Sequence, residues 1–354
     1  MFSIIDLYIA RTLLSTIFVT LSTLVGLSAL IKFVEQLRKV GEGDYDLIVA
    51  GLFIFFSLPR DIEQFFPMAT LLGGLIGMGV LASNSELIVM QASGMSKWNI
   101  IQSAMKCAVV MVCIILLVGE FLTPASEAKA KQIRTEALSG GQVFTSNKMV
   151  WTKDGSDFVS IGNVFSQENL GDVTIYKFND NLDLTQIIAA KRAVFAEESW
   201  ALTDVQITYL NNQQISTNRI SLTQWSAALT PDKLSVATVK PEALSIHGLY
   251  EYVGYLQNNQ QDSTRYELAM WRKILQPVSV CVMLLMAFSF VFGSLRSTTM
   301  GYRIIVGTLT GFSFFIANEV FGPFAMVYNL PPILGALVPS ALFAGVAVLL
   351  LRRQ

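Results

Sequence analysis

The sequence predicts an α-helical membrane protein with six transmembrane helices, three before and three after an inserted all-β domain. Three observations support this prediction. The composition is 53% hydrophobic and only 14% charged, well below the roughly 25% charged residues of soluble domains. Six predominantly uncharged runs approach the roughly 20 residues that a helix needs to cross a bilayer. Between the third and fourth runs the chain is polar, and apolar and polar residues alternate as in half-buried strands.

The uncharged runs define the six predicted spans. They are 12–31, 64–85, 98–122, 274–295, 304–318 and 332–351, and the fifth needs residues as far as 321 to cross. Arg11 precedes a first run that is longer than the core of a cleaved signal peptide, so this run is expected to be retained. The apolar stretch 47–59 is short for a span. It is expected to be an interfacial segment or an extension of the second helix.

The chain is expected to divide into three parts, 1–125, 126–265 and 266–354. The middle part opens with a charged helical piece at 126–137, which Gly140 and Gly141 interrupt. Alternating runs then predict the strands of an antiparallel domain of about 100 residues. These runs are 143–146, 157–161, 173–178 and 200–209, and a polar helical stretch at 241–260 is expected to return the chain to the membrane.

A short polar segment separates the second and third spans. Ser83 or Ser85 is suited to cap the start of a helix, Glu86 then falls in the first turn, and Gly94 is suited to end it in the left-handed conformation. The segment 84–94 therefore predicts a brief amphipathic helix outside the membrane. Its expected role is contact with another protein.

The Lys and Arg residues of short loops predict the orientation, because long domains are translocated largely regardless of charge. With both termini in the cytoplasm, basic residues concentrate on the inner side, and the short outer loops hold fewer. The inner set is Arg11, Lys97, Arg296, Arg303, Arg352 and Arg353, and the outer set is Arg38, Lys39 and Arg60. This bias favours cytoplasmic termini and an external β domain. If 47–59 crossed the membrane by itself, the termini would lie on opposite sides.

The sequence argues against several function classes. The net charge of −1 gives no reason to expect a nucleic-acid partner. The three cysteines lie in apolar runs without metal-ligand spacing, so no metal is expected. No G-x-x-x-x-G-K-[ST] phosphate loop occurs, and the single histidine, His247, has no evident nucleophile partner. No catalytic residue or cofactor is expected, and ATP hydrolysis would have to come from a separate subunit.

Basic residues near the outer end of the first span allow two interpretations. In the simpler one, Lys32 snorkels to the interface. In the other, Lys32 and its neighbours join two basic residues, three apart, on the helix that enters the β domain. The resulting cationic rim would comprise Lys32, Glu35, Arg38, Lys39, Lys131 and Arg134. Such a rim would suit a phosphorylated lipid head group.

Two other features have more than one interpretation. Ala69, Gly73 and Gly77 recur every four residues in the second span, which allows another backbone to approach closely. They predict either a dimer face or packing inside this chain. Lys106 and Glu319 are ionisable residues within or beside apolar runs, so they are candidates for a functional role unless they reach an interface.

Several segments together resemble a known family. They are IKFVEQL at 31–37, FFPMA at 65–69, SELIVMQASG at 85–94, LTPDKL at 229–234, MWRKILQP at 270–277 and FGP at 321–323. In this order, around a central soluble domain, they resemble the lipopolysaccharide-export permease family LptF/LptG. The stretch from 86 to 94 is the most specific, because apolar spans alone are common.

The resemblance implies a bacterial inner-membrane permease subunit of an ABC transporter, with three helices, a periplasmic β-jellyroll-like domain and three more helices. Such a subunit pairs with an LptF-like permease, binds a dimeric cytoplasmic ABC ATPase and associates with an LptC-like single-span protein. It extracts lipopolysaccharide from the outer leaflet of the inner membrane and passes it to a periplasmic bridge protein towards the outer membrane.

The resemblance also implies roles for individual residues. Glu86, Leu87, Met90 and Gly94 match the helix that couples the permease to the ATPase. The residues expected to contact the lipid are Lys32, Glu35, Arg38, Lys39, Phe65, Phe66, Lys131 and Arg134. Where the family has Arg and this chain has Lys, a bidentate phosphate contact would be weaker.

Three rival functions remain at this stage. One is a permease for another amphiphile, such as a lipoprotein. The second is a membrane-anchored scaffold whose β domain binds a periplasmic partner and moves nothing. A membrane enzyme has little support, because no acid/base or metal constellation is evident. Only a transporter subunit is expected to co-purify with an ATPase.

Overall fold

A computed structural model of the chain describes residues 4–138, 150–154, 157–166, 168–179, 183–196, 199–211, 214–225, 230–231, 241–292 and 298–352. Within these ranges, six helices are long and apolar enough to cross a membrane, as the sequence predicts. A six-stranded antiparallel sheet lies between the third and the fourth. The inserted all-β domain is therefore confirmed.

The helices are numbered in chain order. They are α1 Ile4–Leu37, α2 Leu47–Ser83, α3 Glu86–Ala92, α4 Lys97–Leu117, α5 Thr123–Leu138, α6 Ile246–Asn258, α7 Thr264–Phe292, α8 Met300–Val327 and α9 Pro332–Arg352. Because six spans alternate in direction, the ends of α1 and α9 nearest the termini lie on the same side as α3. We call this the α3 side, and the opposite side, where the sheet lies, the sheet side.

Helix α2 includes the stretch 47–59 that was ambiguous in sequence. Asp46 caps its first turn, accepting a hydrogen bond from the Val49 amide at 2.8 Å, and the helix continues through Pro59 and Pro67 to Ser83. The extension of the second span is therefore correct, and a separate interfacial segment is wrong. With 37 residues, α2 is about 55 Å long and projects well beyond a hydrocarbon core of roughly 30 Å.

The third span continues without a break into the segment that enters the sheet domain. A π-helical turn, Val118–Leu122, joins α4 to α5, so the predicted helical piece at 126–137 is the end of one long helix. The break predicted at Gly140 and Gly141 and the strand predicted at 143–146 lie outside the described residues.

The six strands pair in chain order, each antiparallel to the next. They are β1 Val150–Asp154, β2 Asp157–Ser166, β3 Asn169–Phe178, β4 Leu184–Ala196, β5 Ser199–Asn211 and β6 Gln214–Trp225. The register aligns Val159 with Ile175, Ile175 with Ile188, and Ile188 with Ile207. All four side chains are buried in one core. Helix α6 packs on that core through Tyr252, Tyr255 and Leu256.

The small residues of α2 face α1 within the same chain. The Thr16 hydroxyl donates a hydrogen bond to the Gly73 carbonyl at 2.7 Å, and Thr20 donates one to the Ala69 carbonyl at 3.2 Å. A Cβ at Gly73 would overlap the backbone of Ile17, and one at Gly77 would lie 2.6 Å from the Thr16 hydroxyl. This stripe therefore serves internal packing, and the dimer-face alternative is wrong for it.

Gly73→Ala is expected to lower the free energy of unfolding by about 1–3 kcal/mol, because the added methyl forces α1 and α2 apart. The matched control is Gly51→Ala on the same helix, where a Cβ would meet nothing within 4 Å. SDS-induced unfolding in mixed micelles measures both variants. Equal stability of the two variants would contradict the close approach of α1 at Gly73.

Candidate functional site

Charged side chains near the sheet-side ends of the long helices are paired within the chain. Lys32 Nζ on α1 lies 2.5 Å from Asp61 Oδ1 on α2. The Ser28 hydroxyl donates to Asp61 Oδ2 at 3.1 Å. The Asp61 side chain is only 3% exposed, and that of Lys32 is 29% exposed. Lys32 therefore does not simply snorkel, because a buried carboxylate from the next helix holds its ammonium group.

A second ion pair joins α2, α7 and the π-helical turn. Lys273 Nζ lies 3.0 Å from Glu63 Oε1 and donates to the carbonyl of Gly119 at 3.2 Å. Both charged side chains are about nine-tenths buried. A Cβ at Gly119 would come within 2.9 Å of the Glu63 carboxylate, so only glycine lets the turn approach this closely. The side-chain amide of Gln276 also donates to the backbone carbonyl of Glu63, at 2.9 Å.

The segments that lead into and out of the sheet are held by two carboxylates. Glu127 on α5 accepts from Arg60 on α2 at 3.4 Å. Glu120 in the π-helical turn accepts from the backbone amides of Ile246 and His247, at 2.7 and 3.2 Å. These amides begin α6, where the helix dipole favours an acidic group. The sheet domain is therefore connected to the membrane helices at both of its ends.

The two isolated charges noted in the sequence also have partners. Lys106 Nζ lies 2.8 Å from Asp6 Oδ2 at the α3 side. Glu319 Oε1 lies 3.9 Å from Arg272 Nη1, and Arg272 also donates to the carbonyl of Asn318. These contacts give both residues a structural role, which reduces the case for a functional one.

Arg134 packs on α2, beside the turn that follows α1. Its guanidinium carbon lies 5.3 Å from the centre of the Phe53 ring, and its Nε atom is buried without a hydrogen-bond partner. Tyr45, in the turn, donates to the side chain of Gln36 on α1 at 3.1 Å. Burial raises the pKa of Tyr45, and the nearby Arg134 charge opposes this shift. The structure therefore brings Arg134 close to the sheet-side end of α1.

The remaining predicted lipid contacts differ in exposure. Glu35 and Arg38 are exposed, Lys39 is half-buried, and Lys131 lies one turn before Arg134 on α5. Neither Arg38 nor Lys39 forms an ion pair within the part of the chain that the structure describes. These two basic side chains therefore stay available to an external anion.

The two aromatic residues that were predicted to contact the lipid, Phe65 and Phe66, face different neighbours. Phe65 stacks on Phe315 of α8, with ring centres 6.4 Å apart. Phe66 is 7% exposed and belongs to the core between α1, α2, α4 and α7. Phe66 is therefore not open to a ligand in this structure. Phe65, half-buried between α2 and α8, remains accessible in part.

The segment between α2 and α4 forms the predicted short helix, α3. Gly94 has φ +96°, and the amides of Gly94 and Met95 donate to the carbonyls of Gln91 and Met90, at 3.1 and 3.2 Å. These bonds form a Schellman ending, and the predicted left-handed conformation of Gly94 is confirmed. The predicted serine cap is wrong, since Ser85 lies in the left-handed region with φ 62° and its side chain makes no cap bond.

Helix α3 buries one side and exposes the other. Leu87 is 4% exposed and lies in the same core as Ile9 of α1, with Met90 packed against that core. Ile88 and Val89 are 53% and 66% exposed. Leu87 therefore holds α3 to the protein, and the apolar surface open to a partner belongs to Ile88 and Val89, which the sequence analysis missed. Successive residues of a helix point about 100° apart. If Leu87 faces the protein, Ile88 therefore faces away from it, and this could have been inferred from the sequence.

Two long helices leave large apolar surfaces uncovered. Those of α1 include Leu14, Phe18, Val19, Leu27 and Leu30, and those of α8 include Ile305, Leu309, Phe312, Ile316 and Val320. In a membrane-spanning helix such surfaces face lipid or another membrane chain.

The fold and this arrangement define a class: a polytopic helical membrane protein with an all-β domain inserted between two groups of three spans and a short helix on the opposite side. The chain belongs to the family described as "Lipopolysaccharide export system permease LptF/LptG", which matches residues 7–353.

Two relatives are similar over essentially the whole length. The lipopolysaccharide export system permease protein LptG of Escherichia coli strain K12 is 46% identical over 356 residues, covering 100% of this chain and 99% of the relative. The protein of the same name from Haemophilus influenzae is 46% identical over 357 residues, with the same coverage.

Lys273→Met is expected to lower the free energy of unfolding by about 3–5 kcal/mol, because it leaves the buried Glu63 carboxylate without its partner. Adding Glu63→Gln should recover most of this loss, since no buried charge remains. SDS-induced unfolding measures the single and the double variant. If the double variant is no more stable than the single one, the ion pair is not what holds α2 to α7.

Proposed function

We propose that this chain is an LptG-type permease subunit of an ABC transporter that extracts lipopolysaccharide from the outer leaflet of the inner membrane and passes it to a periplasmic bridge towards the outer membrane. The observation that carries the proposal is the full-length similarity to permeases named for lipopolysaccharide export. Its proposed partners are an LptF-like permease, an LptC-like single-span protein and a periplasmic bridge protein.

In this proposal the α3 side faces the cytoplasm, together with both termini, and the sheet domain lies in the periplasm. The distribution of basic residues in short loops supports this orientation. A dimeric cytoplasmic ATPase can then reach α3, whereas the sheet can meet periplasmic proteins. The uncovered surfaces of α1 and α8 are suited to the partner permease and to the acyl chains of the lipid.

The energy for extraction has to come from another subunit. Each CH₂ group of an acyl chain that leaves the bilayer for water costs about 0.8 kcal/mol, so a lipid with several chains does not leave spontaneously. The chain carries no nucleotide-binding loop of the G-x-x-x-x-G-K-[ST] type. ATP hydrolysis by the separate ATPase is therefore proposed to drive closure of a cavity that α1, α2 and α8 line in part.

The docking surface for the ATPase is proposed to centre on Ile88 and Val89. They are the exposed apolar residues of α3, beside Glu86 in the first turn and Gly94 at the end. Leu87 and Met90 contribute from the inside, by fixing α3 to the core that it shares with α1. The family resemblance of Glu86, Leu87, Met90 and Gly94 to a coupling helix agrees with this division of roles.

Ile88→Asp is expected to reduce the amount of ATPase that co-purifies with the detergent-solubilised complex by about tenfold, because it places a charge in an apolar contact. The matched control is Ile215→Asp in β6, an isoleucine that is 71% exposed on the sheet side. Quantitative mass spectrometry of the purified complex measures the ratio of subunits. If wild-type protein retains no ATPase, the scaffold alternative is correct and the transporter proposal fails.

The lipid head group is proposed to bind at the cationic rim, where Arg38 and Lys39 have no carboxylate partner among the described residues and Arg134 has an unsatisfied Nε atom. A guanidinium group can hold a phosphate by two parallel hydrogen bonds. Lys32 differs from these residues, because a phosphate must compete with Asp61 for its ammonium group. Glu35 would accept a hydrogen bond from a hydroxyl group of the lipid head group. Lys131 would add positive charge to the rim, and Phe65 would contact an acyl chain.

Arg134→Ala is expected to lower ATP-dependent release of lipopolysaccharide from proteoliposomes about tenfold, since hydrogen bonds to charged groups are worth about 1.5–3 kcal/mol. Arg134→Lys should recover only part of the loss, because a single ammonium group cannot make the bidentate contact. The control is Arg219→Ala, an exposed arginine of β6. Release of a lipoprotein but not of lipopolysaccharide by the wild-type complex would identify the alternative amphiphile as the substrate.

A further inference from the structure

A tyrosine of α1 is hydrogen-bonded to the first residue of α3. The Tyr8 hydroxyl donates a hydrogen bond to Glu86 Oε2 at 2.7 Å. The other oxygen of the same carboxylate accepts from the Asn84 side chain at 3.3 Å. Both oxygens of Glu86 are therefore used inside the chain, and one of the bonds reaches a helix 78 residues away in sequence. An acidic side chain that serves only a partner protein would have no need of this link.

A buried acid in the same turn of α1 fixes that helix to α4. Asp6 is 4% exposed, accepts a hydrogen bond from Ser103 and pairs with Lys106. Helix α4 follows α3 closely, since only residues 93–96 separate them and Ser96 caps α4 by accepting from the Asn99 amide. Polar contacts therefore join the first turns of α1 to Glu86 at the start of α3 and to the first half of α4.

Helix α1 is suited to carry a displacement to its other end. It has 34 residues and no proline, whereas α2, α7, α8 and α9 each contain at least one. Sharp bends in helices arise mainly at proline and at π-helical turns. Tyr8 and Lys32 lie about 36 Å apart along this helix. A shift at Tyr8 therefore reaches Lys32 without an intervening hinge.

We propose that Tyr8 is a positioning residue that transmits movement of α3 to α1 through Glu86, and so changes the position of Lys32 relative to Asp61. The proposal rests on the proposed function, since it needs an ATPase to move α3. Tyr8 pulls α1 along when α3 moves, and the Asp6 contacts keep α1 and α4 in step. When Lys32 is drawn away from Asp61, its ammonium group becomes available to an anionic lipid. When Lys32 is pushed towards Asp61, the carboxylate takes the ammonium group back.

The test uses the complete complex, with its ATPase and partner permease, in proteoliposomes that contain lipopolysaccharide. Tyr8→Phe removes the hydroxyl and keeps the ring. It is expected to leave ATPase binding and basal hydrolysis unchanged and to lower the number of lipopolysaccharide molecules released per ATP by about threefold or more. The matched control is Tyr302→Phe in α8, an exposed tyrosine on the same side whose hydroxyl has no hydrogen-bond partner among the described residues.

A second measurement follows the movement of α1. A fluorophore on Val34→Cys, in a variant whose three native cysteines are alanine, reports on the sheet-side end of this helix. With Tyr8 intact, ATP and vanadate are expected to shift its emission, and with Tyr8→Phe the shift should shrink by about threefold. A residue that only shapes α3 would change ATPase binding, and the shift per bound ATPase would stay as in the wild type.

The outcomes separate the two proposals. If wild-type complex hydrolyses ATP without releasing lipopolysaccharide, the proposed function fails. If the wild type releases lipopolysaccharide and Tyr8→Phe keeps both the wild-type yield per ATP and the wild-type emission shift, the role of Tyr8 is refuted and the proposed function stands. Loss of ATPase binding in Tyr8→Phe would also refute it, because the hydroxyl would then serve only to shape the docking surface.

Discussion

Buried ion pairs between neighbouring helices are the interaction on which the membrane part of this structure depends. Glu63 and Lys273 join α2 to α7, and Asp61 and Lys32 join α2 to α1. Glu63 lies 20 residues before the end of α2, about 30 Å along the helix, so these charges sit near the edge of the hydrocarbon core. An unpaired charge at that depth is costly. Pairing within the chain therefore sets which helices are neighbours and how they are rotated.

The same pairing governs which charges an external ligand can use. Lys32 and Arg60 are basic residues near the sheet-side ends of the spans, and both already hold carboxylates. Arg38 and Lys39 lie beyond the last turn of α1, where no such partner is needed because water is available. In the proposed function, an anionic head group would bind there first and would have to displace Asp61 to reach Lys32. The residues of the cationic rim therefore differ in availability: Arg38 and Lys39 are open, whereas Lys32 is already paired with Asp61.

The sheet domain is attached through the π-helical turn. This turn exposes the Gly119 carbonyl to Lys273 and directs Glu120 to the first amides of α6. Single π-helical turns are frequent at functional sites, because they free backbone groups for contacts outside the helix. Here one five-residue turn contacts α2, α7 and α6. This turn therefore links the third span directly to the helix that follows the sheet.

The sequence by itself determined the elements whose cause is local. Six spans follow from hydropathy, strands β2, β3 and β5 from alternation, and the end of α3 from Gly94, because solvent preference and backbone conformation act over a few residues. Even so, Ser85 shows that a cap needs the right backbone and not only the right side chain. Only the tertiary structure decided that Gly73 packs on Ile17, that Leu87 and Phe66 are buried, and that Lys32 meets Asp61. Those contacts join residues that lie tens of positions apart in the chain, and hydropathy carries no information about which apolar face meets which.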